Sequence, residues 1–371
     1  MDMQFKVQYV DEHTSARKGT LKISHRTIDT PILWIGHQIG GIPKPWESFP
    51  LKTLIMNACD IIDHPKAYRS ISRKGIHKFL NFDGMVMIDS GGFLFQKKNR
   101  LDVAPSDILD LYHMAKPELC VVLDHPLDPF QSQHKNYYRW KKTIENTIYM
   151  YNNNGNSVLL PVLHGYTLRK LRNACKKIKE IDEPGLIGLG SLVPLVFRRE
   201  RTYNFNNSLH FIVDAIKLVR NEFPNAFLHV FGIGSTSSMH LMYSLGVDSL
   251  DSIGWRLKAA YGTIQLPGIG DRYLKKHPNR RRVINRKEME ILSKCECPAC
   301  KNKSIKEQIE ILDNSFRARA LHNSWVFMKE QETFKQLLVE GKIRLFVENR
   351  LKNSPFLKAF HYFTNKRGDT N

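Results

Sequence analysis

No apolar run in the 371 residues reaches the roughly 18 that a membrane-spanning helix needs. The opening stretch Met1-Asp2-Met3-Gln4-Phe5-Lys6 also lacks the basic start and apolar middle of a signal peptide. These absences argue against a membrane protein and lead us to expect a cytoplasmic one. Acidic residues are scarce: 36 Asp and Glu stand against 56 Lys and Arg, a formal net charge of +20 that favours a polyanionic partner, nucleic acid before an anionic membrane. Cysteine is scarce too, and six in so long a chain exclude a disulfide framework. Cys59, Cys120 and Cys175 read as buried thiols without a chemical task. There is no long internal repeat and no low-complexity linker; only the tail from Asn365 to Asn371 reads as frayed.

What is present is a succession of short buried strands. Eight are expected, at Ile32 to Gly36, Cys59 to Asp63, Met85 to Asp89, Leu119 to Asp124, Val158 to Leu163, Leu186 to Gly190, Leu228 to Gly232 and Val247 to Asp251. Helix-length segments separate most of them, such as Thr167 to Lys179 and Ser208 to Val219, whose apolar residues recur at three-and-four spacing. Repeated βα units of this number predict an α/β fold, a closed (β/α)8 TIM-like barrel, in a chain longer than the roughly 250 residues of one barrel. The expected division is a barrel with N-terminal extension at 1–258, a basic segment and metal-binding subdomain at 259–330, and a C-terminal helical segment packed on the barrel at 331–371. Chemistry in such a barrel sits at the carboxyl ends of the strands. Those ends carry Asp89, Asp124, His164, Gly190, Gly234 and Asp251.

The stretch Met85-Val86-Met87-Ile88-Asp89-Ser90-Gly91-Gly92-Phe93 delivers one carboxylate from a buried strand into a turn with two glycines. Asp89 is either a working group or the cap of the next helix. Near the other end of the chain, Cys295-Glu296-Cys297-Pro298-Ala299-Cys300 is followed after twenty-one residues by His322 in a helical context. Three thiolates and one imidazole compose a closed tetrahedral site typical of structural zinc, with no vacancy for a catalytic water. Between strand region and cysteines, Asp271 to Lys287 is dense in positive charge and includes Arg280, Arg281 and Arg282. A second cluster holds Arg198, Arg199 and Arg201; both are candidate phosphate contacts, or simply solvated loops.

Taken with the preceding Gly75-Ile76-His77-Lys78-Phe79-Leu80-Asn81-Phe82-Asp83-Gly84, the Asp89 turn resembles the signature of the tRNA-guanine transglycosylase superfamily, whose members exchange guanine in a nucleic acid for a 7-deazaguanine. The Cys-x-Cys-x-x-Cys and distant His follow that family's order. The resemblance runs from about Thr30 through His322 and implies roles for individual residues. Gly246-Val247-Asp248-Ser249-Leu250-Asp251 is similar to the family's nucleophile stretch, so Asp251 would attack the sugar and Asp89 would serve as general acid and base, the two-carboxylate logic of a retaining glycosidase. Asp248 would point elsewhere and make a hydrogen bond at the barrel rim. Ser90, Gly91, Gly92, Phe93, Asp124, Gly190 and Ser191 would line the base. His164 stands where the tRNA enzymes carry glutamine, and would either donate to the base carbonyl or pack.

Two departures bear on the polynucleotide. Leu94 replaces the glutamine expected after Phe93, and Ser252-Ile253-Gly254-Trp255-Arg256 lacks the arginine-rich run of the tRNA enzymes, keeping Arg256 as a candidate contact. The resemblance therefore leans towards the DNA-modifying branch, with 7-cyano-7-deazaguanine placed into DNA, accessory DNA-opening proteins and a homodimer as candidate partners, and tRNA modification as the alternative. A catalytically idle nucleic-acid-binding subunit is disfavoured by the presence of both Asp89 and Asp251. A zinc-dependent hydrolase is disfavoured because the metal site is closed.

Overall fold

The computed structural model describes residues 2–197, 205–276 and 282–368. Antiparallel strands β1 (Met3–Val10), β2 (Arg17–Ile23) and β3 (Arg26–Asp29) precede the barrel. The barrel strands are β4 (Ile32–Gly36), β5 (Thr53–Asn57), β6 (Met85–Asp89), β7 (Leu119–Val121), β8 (Leu159–Leu160), β9 (Val162–Leu163), β10 (Leu186–Leu189), β11 (Phe227–Val230) and β12 (Ser249–Ser252). They form one parallel sheet in the order β8-β7-β6-β5-β4-β12-β11-β10-β9. Its two outer strands, β8 and β9, are one extended segment divided at Pro161, which has no N–H for the ladder. Pro161 O still accepts from Gly188 N at 2.8 Å, so the ring is interrupted only at that residue and the fold is the expected eight-fold barrel.

One expected strand is corrected. Cys59 to Asp63 is not a strand; it lies in and just after helix α1 (Ala58–Ile62), and the second barrel strand is β5 immediately before it. Asn57 ends β5 and caps α1, its side-chain oxygen accepting from the N–H groups of Cys59 and Asp60, so the chain turns from strand to helix there.

Side-chain parity divides the barrel strands into two apolar clusters. Ile32, Trp34, Ile55, Met85, Met87, Leu119, Val121, Leu160, Val162, Leu186 and Phe227 fill the interior together with Leu21, Ile23 and Ile28 from the N-terminal strands, which plug the lower end. The alternate residues, such as Leu33, Leu54, Val86, Ile88, Ile187, Leu228 and Leu250, pack outwards on the helices. Removing an interior side chain as large as Trp34, which is fully buried, would cost about 3–5 kcal/mol.

The helices that matter for the site are α2 (Pro65–Leu80), α3 (Gly92–Lys97) after β6, α4 (Pro105–Ala115), α5 (Gln133–Asn152) after β7, α6 (Leu168–Ile181), α7 (Val193–Phe197), α8 (Phe205–Glu222), α9 (Ser238–Ser244) and α10 (Gly254–Ala260). After α10 comes a small unit: a hairpin of β13 (Ile264–Leu266) and β14 (Gly270–Arg272), then α11 (Arg286–Ser293) and α12 (Ile305–Asn314). It has its own core of Ile264, Leu266, Leu274, Ile284, Leu292 and Leu312. Helix α13 (Phe316–Val339) joins the two bodies, with Ala318 in the small core and Phe327, Phe334 and Leu338 in the barrel core. Asn323, mid-helix, ties both: its Oδ1 accepts from Gln265 N at 2.7 Å and its Nδ2 donates to Trp255 O and Thr263 O at 3.1 Å. Helices α14 (Ile343–Leu351) and α15 (Phe356–Gly368) follow, the latter against α8. No helix among the described residues is long and apolar enough to cross a membrane.

Asp248 lies one residue before β12, on the outward parity and at the lower end. It is fully buried and receives Arg17 Nε at 2.7 Å, Arg17 Nη2 at 2.6 Å, Arg220 Nη2 at 2.8 Å and Leu228 N at 2.7 Å. The carboxylate thereby pins the N-terminal strands to the barrel; it points away from the mouth as expected, but as a buried partner of two arginines at the lower end and not through a hydrogen bond at the rim.

Candidate active site

The interior parity that runs through Met85 and Met87 ends on Asp89, that through Ile55 on Asn57, and that through Leu160 and Val162 on His164. In the same way Phe227 leads to His229 and Phe231, and Ser249 to Asp251. Among the described residues the polar groups on the interior face gather towards the carboxyl end, with Ser249 lying deeper, opposite Ile32. Asp124 reaches the carboxyl end from the loop after β7, and Asp89, Asp124 and Asp251 come within electrostatic reach of one another.

Asp89 is paired in register with Asn57 on the neighbouring strand, and Asn57 Nδ2 donates to its Oδ2 at 2.6 Å. Burial pushes the Asp89 carboxyl up to about 8, with the negative charges of Asp124 and then Asp251 adding to it; hydrogen bonds from Gly91 and Asn57 pull only partly the other way. A carboxyl so placed carries a proton at neutral pH. It is not a helix cap: the N-terminal cap position of α3 is Gly91, in the left-handed region at φ +87.

Ser90 is fully buried and donates from Oγ to Asp124 Oδ1 at 3.1 Å. Gly92 must lack a side chain, since a Cβ there would meet Asp124 O at 1.9 Å; this close approach seats the start of α3 against Asp124. Phe93 is the outlier of the turn, 57% exposed on the mouth. His164 is buried, with Nε2 3.0 Å from Asp124 Oδ2 and Nδ1 2.8 Å from Ser191 Oγ. Ser191 Oγ accepts from Leu127 N at 2.8 Å and keeps its hydrogen available for Nδ1, and the Asp124 carboxylate beside Nε2 favours the ring proton there. The imidazole thus stands between Ser191 and Asp124, with Nε2 close to the carboxylate but without a hydrogen bond to it in this structure. Gly190 makes room for it, because a Cβ there would come within 2.6 Å of His164 Cε1. Ser191 itself has φ +65, a conformation uncommon for a residue with a side chain, and Tyr166 Oη braces the turn by donating to Ser191 O and Leu127 O at 2.9 Å.

Asp251 Oδ1 accepts from Gly232 N at 2.6 Å and lies 3.3 Å from His229 Nε2, while Oδ2 carries neither contact. His229, Asn57, Ser249 and Trp34 belong to this constellation and were not singled out from the sequence. Arg256, on α10, donates to Gln38 Oε1 at 2.8 Å, and Arg282 is exposed with a guanidinium nitrogen 3.9 Å from Asp271. Arg198, Arg199, Arg201, Arg280 and Arg281 lie outside the described residues.

The second chemical centre is the cysteine group. The three sulfurs of Cys295, Cys297 and Cys300 stand 3.4, 3.5 and 3.6 Å from His322 Nδ1, and the four ligand atoms lie within 4.8 Å of one another. Such spacing is that of the corners of a tetrahedron around an ion with bonds of about 2.0–2.3 Å, so the group could hold a metal ion. His322 Nε2 donates to Gln265 O at 2.9 Å, which fixes the tautomer that presents Nδ1 to the sulfurs. The remaining cysteines are buried thiols, and burial raises Cys59 to about 11 and Cys175 to about 12, out of the reactive range.

A family model described as queuine tRNA-ribosyltransferase matches residues 11–355. The chain is 26% identical over 367 residues to the tRNA-guanine(15) transglycosylase of Pyrococcus furiosus, covering 96% of this chain and 58% of that protein. It is 27% identical over 374 residues to the protein of the same name from Methanocaldococcus jannaschii, covering 96% and 52%. For Methanosarcina acetivorans the figures are 26% over 359 residues, 94% and 68%. The chain thus spans little more than half the length of the first two of these curated relatives.

Proposed function

The chain belongs to the queuine tRNA-ribosyltransferase family, and from that premise we propose that it is a pentosyltransferase that exchanges a guanine in a polynucleotide for a 7-deazaguanine through a covalent Asp251–sugar intermediate. The observation that carries the reading is the trio of strand-end carboxylates held in different states: Asp89 raised to about 8 by burial, Asp124 beside Ser90 and His164, and Asp251 held by one oxygen, with no contact to the other among the described residues. In the first displacement Asp251 Oδ2 attacks the anomeric carbon, the glycosidic bond breaks, and the departing guanine takes the Asp89 proton. In the second, the incoming base gives a proton to Asp89, forms the new bond to carbon and expels Asp251. Two inversions retain configuration, and no proton or electron pair is left over.

Asp124 would accept from the N–H edge of guanine, and Phe93, exposed at the mouth, would cover the base. A zinc ion on Cys295, Cys297, Cys300 and His322 would fix the small unit after α10 and has no open position for chemistry. The net charge of +20 suits a polyanion of either kind.

The relatives' names support tRNA as the polynucleotide, in preference to the DNA expected from the sequence. DNA stays as the second reading on one observation: α10 offers Arg256 and Lys258, each already tied, to Gln38 and to Asp271 at 2.8 and 2.9 Å, where an arginine run would grip an anticodon loop. The test is incubation of the purified chain with labelled guanine or 7-cyano-7-deazaguanine and, in parallel, tRNA, single-stranded DNA and duplex DNA. Label in tRNA alone supports the first reading and label in DNA alone the second. No label in any of them overturns the exchange.

A further inference from the structure

His229 is fully buried inside the barrel, two residues before the turn that supplies Gly232 N to Asp251. It is in register with Ser249 on the adjacent strand, and Asp251 lies two residues further along that strand on the same face. The imidazole therefore lies between two side chains of β12, with Nδ1 2.6 Å from Ser249 Oγ and Nε2 3.3 Å from Asp251 Oδ1, a buried nitrogen that stands beside the carboxylate and makes no hydrogen bond in this structure. Trp34, in register with Asp251 from the other side, points its Nε1 at Ser249 Oγ from 3.3 Å.

The polarity of this chain is set at its two ends. An indole N–H can only donate, so Ser249 accepts from Trp34 and has its own hydrogen to give. Ser249 can give that hydrogen to His229 Nδ1 or accept from it, and the neighbour of Nε2 decides between the two: the carboxylate oxygen of Asp251 favours a ring proton on Nε2. The reverse arrangement would set two lone pairs against each other at 3.3 Å. The Phe231 ring, edge-on to the imidazole with centroids 4.3 Å apart, restricts its rotation.

We propose that His229 is a positioning residue for Asp251: the Trp34–Ser249–His229 chain holds Oδ1 in place together with Gly232 N and leaves Oδ2 as the attacking oxygen. The proposal rests on the reading of Asp251 as nucleophile for its catalytic meaning. Its structural content, an Nε2–H tautomer favoured by Asp251 and facing it, stands apart from that reading. In this proposal Nε2 serves Asp251 alone, and the proton to and from the base stays with Asp89.

The test has two arms on the full chain. In the first, imidazole nitrogen NMR with labelled histidine reads the His229 tautomer without any substrate. An Nε2–H ring that loses its tautomer preference in Asp251→Ala supports the proposal; an Nδ1–H ring in the wild type overturns it. In the second, single-turnover formation of the Asp251–sugar ester is followed in His229→Leu, His229→Gln and His229→Ala, each checked for native circular dichroism. His229→Leu should be slower by about 10²-fold, the scale of a misplaced reacting group, with polynucleotide affinity within about twofold of wild type. His229→Gln, which keeps an N–H donor, should recover part of the rate, and added imidazole should do the same for His229→Ala. A purely packing role predicts the opposite order, with leucine the mildest change, and that order would overturn the proposal. If the wild type forms no ester with any polynucleotide while the NMR arm behaves as expected, the positioning contact stands and the nucleophile reading falls.

Discussion

Asn57 and Asp89 face each other across two neighbouring parallel strands, and the Asn57 amide donates to the Asp89 carboxyl at 2.6 Å. The amide steadies the carboxylate form, yet burial and the two other carboxylates outweigh it and raise Asp89 to about 8. The sign of the consequence is fixed. Between the ordinary carboxyl value near 4 and about 8, the folded chain keeps a proton that the unfolded chain has released, so stability falls as pH rises through that window and the full cost is present above it. Asp89→Asn removes the titration, so its melting temperature should gain on the wild type from pH 5 to pH 8 and then run parallel. A constant gap across that range would refute the raised value. For the proposed exchange, guanine release in the wild type should decline above about pH 8, where the acid is spent.

Much of this arrangement is legible in the sequence because barrel strands announce their ends. Asp89, Asp124 and His164 each close an apolar run, whereas Asp251 follows the mixed stretch Val247-Asp248-Ser249-Leu250 and is singled out by the resemblance. Asn57 is hidden for a local reason: Thr53–Asn57 and Cys59 to Asp63 are both apolar, and the choice between them turns on reading Asn57 as a helix cap. His229 is hidden because it sits mid-run, between Leu228 and Val230, and its partners lie twenty residues away on the next strand. Parity could have exposed it, since Gly232 marks the strand end and His229 shares the interior face of Phe227. The roles of His164 turn on tautomer and register, which composition does not encode.

Asp248 offers a contrast with Asp251, three residues away. Its carboxylate accepts from two buried guanidinium groups and a backbone N–H. Asp248→Ala should destabilise the chain by about 3–5 kcal/mol, because it strands buried positive charge. Read by denaturant melts, the loss should shrink when Arg17 is also replaced by a neutral residue of similar length, as coupled sites require. Additive losses would dissociate the pair.

The cysteine group should hold one zinc ion per chain, measured on the purified protein by elemental analysis. Cys297→Ser should lower both metal content and melting temperature, and a chelator should do the same to the wild type, since ligand atoms brought together by folding return their binding energy as stability. His322→Asn should act alike because Nδ1 faces all three sulfurs. A metal-free wild-type chain of unchanged stability would remove the metal from the account.

The last prediction concerns how Asp124 would read a base in the proposed exchange. Ser90 donates to Oδ1 at 3.1 Å and the His164 Nε2 stands 3.0 Å from Oδ2, so each oxygen keeps a lone pair for a ligand N–H. Ser191 governs the second contact through the ring: without its hydrogen bond to Nδ1, the proton is free to move to that nitrogen and the Nε2 lone pair would face the carboxylate. Ser191→Ala should therefore weaken binding of free guanine by about tenfold, the scale of one hydrogen bond to a charged group, and Asp124→Asn by more. Because Asp251 and its supports are untouched, the ester-forming rate at saturating polynucleotide should change less than the base affinity does. Calorimetric titration of guanine into each variant gives the first quantity and a single-turnover assay the second. Guanine affinity equal to wild type in Ser191→Ala would mean that the Ser191–His164–Asp124 contacts serve the fold of the mouth and not the recognition of the base.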